Sequence, residues 1–151
     1  MKQFVSLTFF LAILLALSAC GNMPGLPGTY NVMTSSMEPT FHRGDTITTS
    51  PVTRELQRGD IVVYEFQNSK STQIHRIVGL PGESIEIKGG TVYIDGEPLT
   101  EPYIKEKPEY KLPVTLIPQG CYFVLGDNRN NAADSHMQGP IKIDNIRGIA
   151  K

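Results

Sequence analysis

The chain reads as a mostly β domain assembled from short strands. Three observations carry that reading. Short apolar or alternating stretches recur along the mature part, and each is bounded by Gly, Pro, Asn or Asp. The composition is turn-rich, with 14 Gly and 11 Pro and no Trp among 151 residues. Long apolar stripes at helical spacing are few. A formal net charge of -1 with 19% charged residues fits one small globular domain and selects no polyanionic partner, so nucleic acid is not expected. A chain of this size can bury a modest core.

The first segment is an address rather than part of the fold. Lys2 precedes an apolar run from Phe4 to Leu17 that ends in the small residues Ser18 and Ala19, the pattern of an export signal. Leu17-Ser18-Ala19-Cys20 resembles the lipobox of bacterial lipoproteins, whose Cys becomes the lipid-bearing N-terminus. The resemblance implies lipidation at Cys20, membrane lipid as a partner through the N-terminus, and a domain held on the extracytoplasmic side. The alternative, an uncleaved anchor, asks a short run to span ~30 Å of hydrocarbon. With Cys20 modified, Cys121 is the remaining thiol and has no internal disulfide partner, so it reads as packing. Residues 21–30, GNMPGLPGTY, form a Gly/Pro linker that cannot extend a helix. The chain thus divides into a signal at 1–20, a linker at 21–30 and a folded domain at 31–151.

Within the domain, strands are expected at 45–49, 60–66, 72–78, 84–88, 91–94 and 120–125. Gly89-Gly90 between two β-rich runs signals a hairpin, and Asp95-Gly96 a second tight turn. Residues 102–113 read as a polar loop. No repeat, no Cys/His set with metal spacing and no phosphate-cradling glycine loop is found, so neither a metal nor a nucleotide cofactor is expected.

The chemistry concentrates at Thr34-Ser35-Ser36-Met37-Glu38-Pro39-Thr40, where a hydroxyl precedes a Met-x-Pro turn able to hold it clear of the backbone. A serine hydroxyl is a poor nucleophile unless a positioned base takes its proton. The histidines are His42, His75 and His136.

Four further blocks follow in order: Arg58-Gly59-Asp60-Ile61-Val62, then His75-Arg76-Ile77-Val78-Gly79-Leu80-Pro81-Gly82-Glu83, Gly126-Asp127-Asn128-Arg129, and Asp134-Ser135. Together with Ser36-Met37-x-Pro39-Thr40 they resemble the signal peptidase I family over about residues 31–149. The resemblance implies a signal-peptidase-type antiparallel β domain and a serine endopeptidase. It assigns Ser36 as nucleophile, and the Thr34 hydroxyl with the Ser36 N–H as oxyanion hole, each donor of that kind being worth ~3 kcal/mol of barrier.

Two departures stand out. Bacterial members usually have lysine where this chain has His75, as the endoplasmic-reticulum type does, so the expected Ser–Lys dyad becomes Ser–His. The serine that usually positions the lysine is Ala132. An imidazole with an unperturbed pKa of ~6.5 is already a usable base at neutral pH. Its need is an orienting acceptor on the other nitrogen. Asp134 is the first candidate for that acceptor and Asp127 the second. His42 reads as a turn residue and His136 as structural, while Arg129 with Asp127 reads as an ion pair holding the last motif.

An extended peptide is read by adding it as a strand to exposed edges. The resemblance places those edges at Asn31, Val32, Met33 and Ser35 and at Gln73 and Ile74, with Ile74 walling small pockets suited to Ala-x-Ala sites in exported preproteins. Three other readings compete: a catalytically degenerate signal-peptidase-like binding protein, a self-cleaving repressor-type peptidase, and a purely structural lipoprotein. The intact Ser36, Thr34 and Asp134 oppose the first, the export signal the second, and the motif blocks the third.

Overall fold

In the computed structural model, which describes residues 27–66 and 71–151, the expected strands form and others join them. In chain order they are β1 (Thr29–Asn31), β2 (Thr46–Ser50), β3 (Ile61–Glu65), β4 (Thr72–Gly79), β5 (Ser84–Lys88), β6 (Thr91–Ile94), β7 (Glu97–Pro98), β8 (Leu112–Leu116), β9 (Cys121–Leu125), β10 (Ile141–Lys142) and β11 (Ile146–Ala150). A single turn of α-helix, α1 (Ser135–Gln138), follows a short 3-10 turn between β9 and β10. The larger sheet runs β1-β2-β11-β3-β4-β9-β10 and the smaller β7-β6-β5-β8, and the pairings are antiparallel. The export signal, the Cys20 position and most of the linker lie outside the described residues.

β3 does not alternate because both of its faces are covered. Val62 and Tyr64 pack with Ile77, Val124 and Ile149, while Val63 packs with Val32 and Ile47. Burying each such side chain contributes about 1.5–3 kcal/mol. β5 and β6 do alternate: Ile85, Ile87, Val92 and Ile94 face Phe123 and Leu125, and Glu86 and Tyr93 point away. The Gly89-Gly90 hairpin is as the dipeptide predicts, since both glycines have positive φ and pair Lys88 with Thr91 across a two-residue turn. Asp95-Gly96 makes the next turn in the same way.

Three differences have local causes. β1 takes in Thr29 and Tyr30 from the linker reading. β8 begins inside the stretch read as loop, because Pro113 disguises a strand that lies at a sheet edge, where a missing N–H is tolerated. β11, not among the expected strands, is central, between β2 and β3. A Cβ at its Gly148 would sit 2.8 Å from Thr49 Cβ and 2.9 Å from the Ser50 carbonyl, so this glycine permits a close approach rather than a turn.

The topology positions one feature of consequence. β4 pairs with β3 through residues 72–76, whereas β9 joins its other side only from Arg76 onward. Among the described residues, 72–75 therefore present an edge with no strand beside it, and the site lies there.

Candidate active site

Ser36 sits in the turn between β1 and β2, tied from behind rather than by a sheet ladder. The Asn128 N–H donates to the Ser36 carbonyl at 2.9 Å, the Asn128 side-chain amide to the Ser35 carbonyl at 3.0 Å, and the Asn131 amide to Ser35 Oγ at 2.8 Å. Met37, next in the chain, is buried and anchors the turn in the core. Thr34 Oγ1 lies 3.0 Å from Ser36 Oγ and 3.5 Å from the Ser36 nitrogen. The hydroxyl and the N–H expected to bind an oxyanion thus lie beside the Ser36 hydroxyl.

His75 lies on β4 opposite Val62, with Gln73 opposite Tyr64. Directly paired residues share a face, so His75 projects among Val62, Tyr64 and Ile77 and is only 3% exposed. Burial pushes its imidazole down to about 4, against the pull of the Asp134 and Asp127 charges, while His136 adds a smaller push in the same direction as burial. The Tyr64 hydroxyl is 2.9 Å from His75 Nδ1 and donates to Gln73 Oε1 at 3.3 Å.

Asp134 does not hold His75. One of its oxygens accepts the Gly126 N–H at 2.9 Å; the other accepts the His136 N–H at 3.0 Å and meets His136 Nδ1 at 2.6 Å. It caps α1 and fixes the chain after β9, reaching His75 only as a charge through space. Asp127 is taken as well. It forms a two-pronged pair with Arg76, at 2.9 and 2.7 Å, and accepts from the Thr40 hydroxyl. The sequence reading is corrected on both counts: the group at Nδ1 is Tyr64. Arg129 pairs with Glu101 at 2.7 Å rather than with Asp127. His42 is exposed in its turn, and His136 stacks on Tyr110 at 3.9 Å.

Gly126 joins the parts. A Cβ there would fall 2.5 Å from Ala132 Cβ, 2.6 Å from the Ser36 carbonyl and 3.5 Å from His75 Cδ2. The Ser36 turn, His75 and Ala132 therefore meet at a position where only glycine fits. Ser36, Thr34, His75 and Ala132 line one cleft of about 660 Å³. Asn31, Val32, Met33 and Ser35 stand on one wall and Gln73 and Ile74 on the other, with Met33 and Met137 exposed at the rim. Nothing in the sequence singled out Tyr64; its signal was a large polar-tipped residue two places beyond Val62 in a strand facing the His75 strand.

These positions match the order and spacing of the family motifs, and the sequence profile described as signal peptidase, peptidase S26, matches residues 1–151. The chain belongs to this family. A probable signal peptidase I-1 from Synechocystis sp. is 40% identical over 130 residues, covering 79% of this chain and 66% of its own length. Signal peptidase I T of Bacillus subtilis is 40% identical over 136 residues, covering 81% of this chain and 70% of its own. The chain thus spans about two thirds of the length of these relatives. The crystal structure of a signal peptidase I from Enterococcus faecalis superposes with a TM-score of 0.58 at 30% identity, covering 64% of this chain and 97% of that one. The mostly antiparallel β architecture of this family member is therefore that of a solved signal peptidase I.

Proposed function

We propose that this chain is a membrane-attached serine endopeptidase that removes signal peptides from exported preproteins, cutting after small residues of Ala-x-Ala type, with Ser36 as nucleophile and His75 as general base. The observation that carries the reading is the cleft itself. A nucleophile with two flanking oxyanion donors and a buried, neutral imidazole stand beside the unpaired 72–75 edge of β4. A substrate strand laid between that edge and residues 31–35 would present its carbonyl to Ser36 Oγ. As Oγ attacks, its proton moves to His75 Nε2 and the carbonyl oxygen becomes an anion facing Thr34 Oγ1 and the Ser36 N–H. The imidazolium then protonates the leaving amine, and water takes the same route to release the acyl group.

The unpaired edge and intact hydroxyl pair favour this reading over a degenerate binding protein. Cleavage of a purified preprotein ending its signal in Ala-x-Ala separates the two. Ser36→Ala and His75→Ala are each expected to abolish processing, and His42→Ala to leave it intact. A folded wild type that binds the preprotein without cutting it would establish the binding-protein reading.

Membrane attachment through lipid at Cys20 completes the proposal and rests on the Leu17-to-Cys20 match. No described helix is long and apolar enough to cross a membrane. The intact mass of the mature N-terminus decides the point: an acylated Cys20 supports it, and a chain still beginning at Met1 without acyl mass removes it.

A further inference from the structure

We infer that Tyr64 is the positioning residue of the catalytic base, and that Gln73, by accepting the Tyr64 proton, selects the His75 tautomer that can deprotonate Ser36. The inference rests on the Ser36/His75 assignment above. Its starting point is a count of donors and acceptors. A neutral imidazole has one N–H and one bare nitrogen, so an acceptor at Nδ1 leaves Nε2 bare and a donor there does the reverse. Tyrosine can play either part, and the Tyr64 hydroxyl alone decides nothing. Gln73 Oε1 decides it, because it has no hydrogen to give and lies 3.3 Å from the phenol oxygen. The Tyr64 hydrogen goes to Gln73, the phenol oxygen accepts Nδ1–H at 2.9 Å, and Nε2 keeps its lone pair.

The Cδ2–Nε2 edge of the ring lies toward the turn that carries Ser36. Nδ1 and Cδ2 lie on opposite sides of the imidazole, and Cδ2, bonded to Nε2, is the edge 3.5 Å from the Gly126 position, which is also 2.6 Å from the Ser36 carbonyl. The arrangement comes from strand register: Tyr64 pairs directly with Gln73, and His75 is its diagonal neighbour on the same face, within reach of an aromatic side chain. Tyr64 is 1% exposed, so water does not compete for its hydroxyl. Burial, helped by the Asp134 charge, raises its phenol, which stays protonated throughout the working range.

The charged and titratable groups facing the imidazole are Tyr64 from β3, Asp127 and Asp134 from the segment after β9, and His136 from α1. Both carboxylates are hydrogen-bonded elsewhere and act on His75 only at a distance. A neutral phenol–amide pair thus stands where a carboxylate is otherwise required, and it orients the base without adding a charge beside it. During acylation the Ser36 proton arrives at Nε2, Nδ1–H stays on the Tyr64 oxygen, and no proton passes to Tyr64 or Gln73.

The test is ¹⁵N NMR of the imidazole nitrogens at neutral pH, paired with kcat and KM for preprotein cleavage, in wild type, Tyr64→Phe and Gln73→Leu. Wild type is expected to carry its proton on Nδ1. Gln73→Leu frees the phenol hydrogen to turn toward Nδ1, so the proton should move to Nε2 and kcat should fall on the order of 10²-fold, the lower end of what a general base contributes. Tyr64→Phe should lose the tautomer preference and lower kcat similarly with KM little changed, the split that separates positioning from substrate binding. A wild-type protein with its proton on Nε2 overturns the inference, as does a Tyr64→Phe enzyme with unchanged tautomer and kcat. The spectra need no turnover. A Nδ1–H wild type that fails to cleave would sink the peptidase reading while leaving the positioning of His75 supported.

Discussion

Thr34 Oγ1 stands 3.0 Å from Ser36 Oγ and 3.5 Å from the Ser36 nitrogen, which makes the exposed threonine a neighbour of both the hydroxyl proposed as nucleophile and the N–H proposed as the second oxyanion donor. Thr34→Val keeps the shape and removes the hydroxyl. The expected result is a loss of about 3 kcal/mol of transition-state stabilisation, ~10²-fold in kcat, with Thr34→Ser restoring most of it. Thermal unfolding should barely change, because a surface substitution is worth about ±0.5 kcal/mol. Equal kcat for Thr34→Val and wild type would remove Thr34 from the oxyanion hole.

The pH dependence follows from His75. Its folded-state pKa is pushed by burial from 6.5 to about 4. The unfolded chain takes up the proton first as pH drops, so this group's effect on stability is absent above about 6.5 and is felt fully below about 4. The accumulated loss is roughly 3 kcal/mol at 1.4 kcal/mol per pKa unit. Urea unfolding of wild type and His75→Gln across that window isolates it, with the wild type losing more stability on acidification. In the same window kcat/KM should stay level from neutral pH to about 5 and fall through about 4. An isolated imidazole would place that fall near ~6.5. A limb there would mean that the base is not the buried His75.

Gly126→Ala tests the convergence of the site on one backbone position. The added methyl would meet the Ser36 carbonyl, a backbone atom that cannot rotate away, as well as Ala132 Cβ. The nucleophile turn must move, and cleavage should fall by more than about 10²-fold while the fold loses about 1–3 kcal/mol from overpacking. Measured activity within a few-fold of wild type would show that the turn tolerates displacement.

Much of this was legible in the chain. Alternating Ile85, Ile87, Val92 and Ile94 announce β5 and β6, and Gly89-Gly90 their turn, because both signals are local. Motif order singled out Ser36, Thr34 and His75, which the fold brings to one cleft. The orienting group was not legible, for a physical reason. Asp134 carries the chemistry expected of an orienter, but whether a carboxylate reaches an imidazole depends on what else claims its oxygens, here the Gly126 and His136 N–H groups. Tyr64 was hidden in an apolar strand, and only the register that sets it opposite Gln73 places its hydroxyl at His75 Nδ1. β11 was not expected from the sequence, and its Gly148 serves a close strand contact that only the fold shows.

A Cβ at Gly126 would meet both His75 Cδ2 and Ala132 Cβ, and the two residues line the same cleft, which bears on the pairing of histidine with alanine. His75→Lys alone brings in an amine without the serine hydroxyl that usually receives it, so it should stay largely protonated and give low activity at neutral pH. Ala132→Ser added to His75→Lys should recover part of the rate and move the optimum upward, a non-additive coupling expected of residues that share a cavity. The pH dependence of kcat/KM for wild type, His75→Lys, Ala132→Ser and the double variant measures it. Full activity of His75→Lys at neutral pH, or no effect of Ala132→Ser in that background, would contradict the account.

The central claim, that His75 activates Ser36 for covalent attack, is tested most directly by peptide mass mapping after reaction with an acylating serine-protease inhibitor. The account predicts an acyl adduct on Ser36 in the wild-type protein and none in folded His75→Ala. A folded wild type left unlabelled at Ser36, or equal labelling of Ser36 in the two proteins, would contradict it.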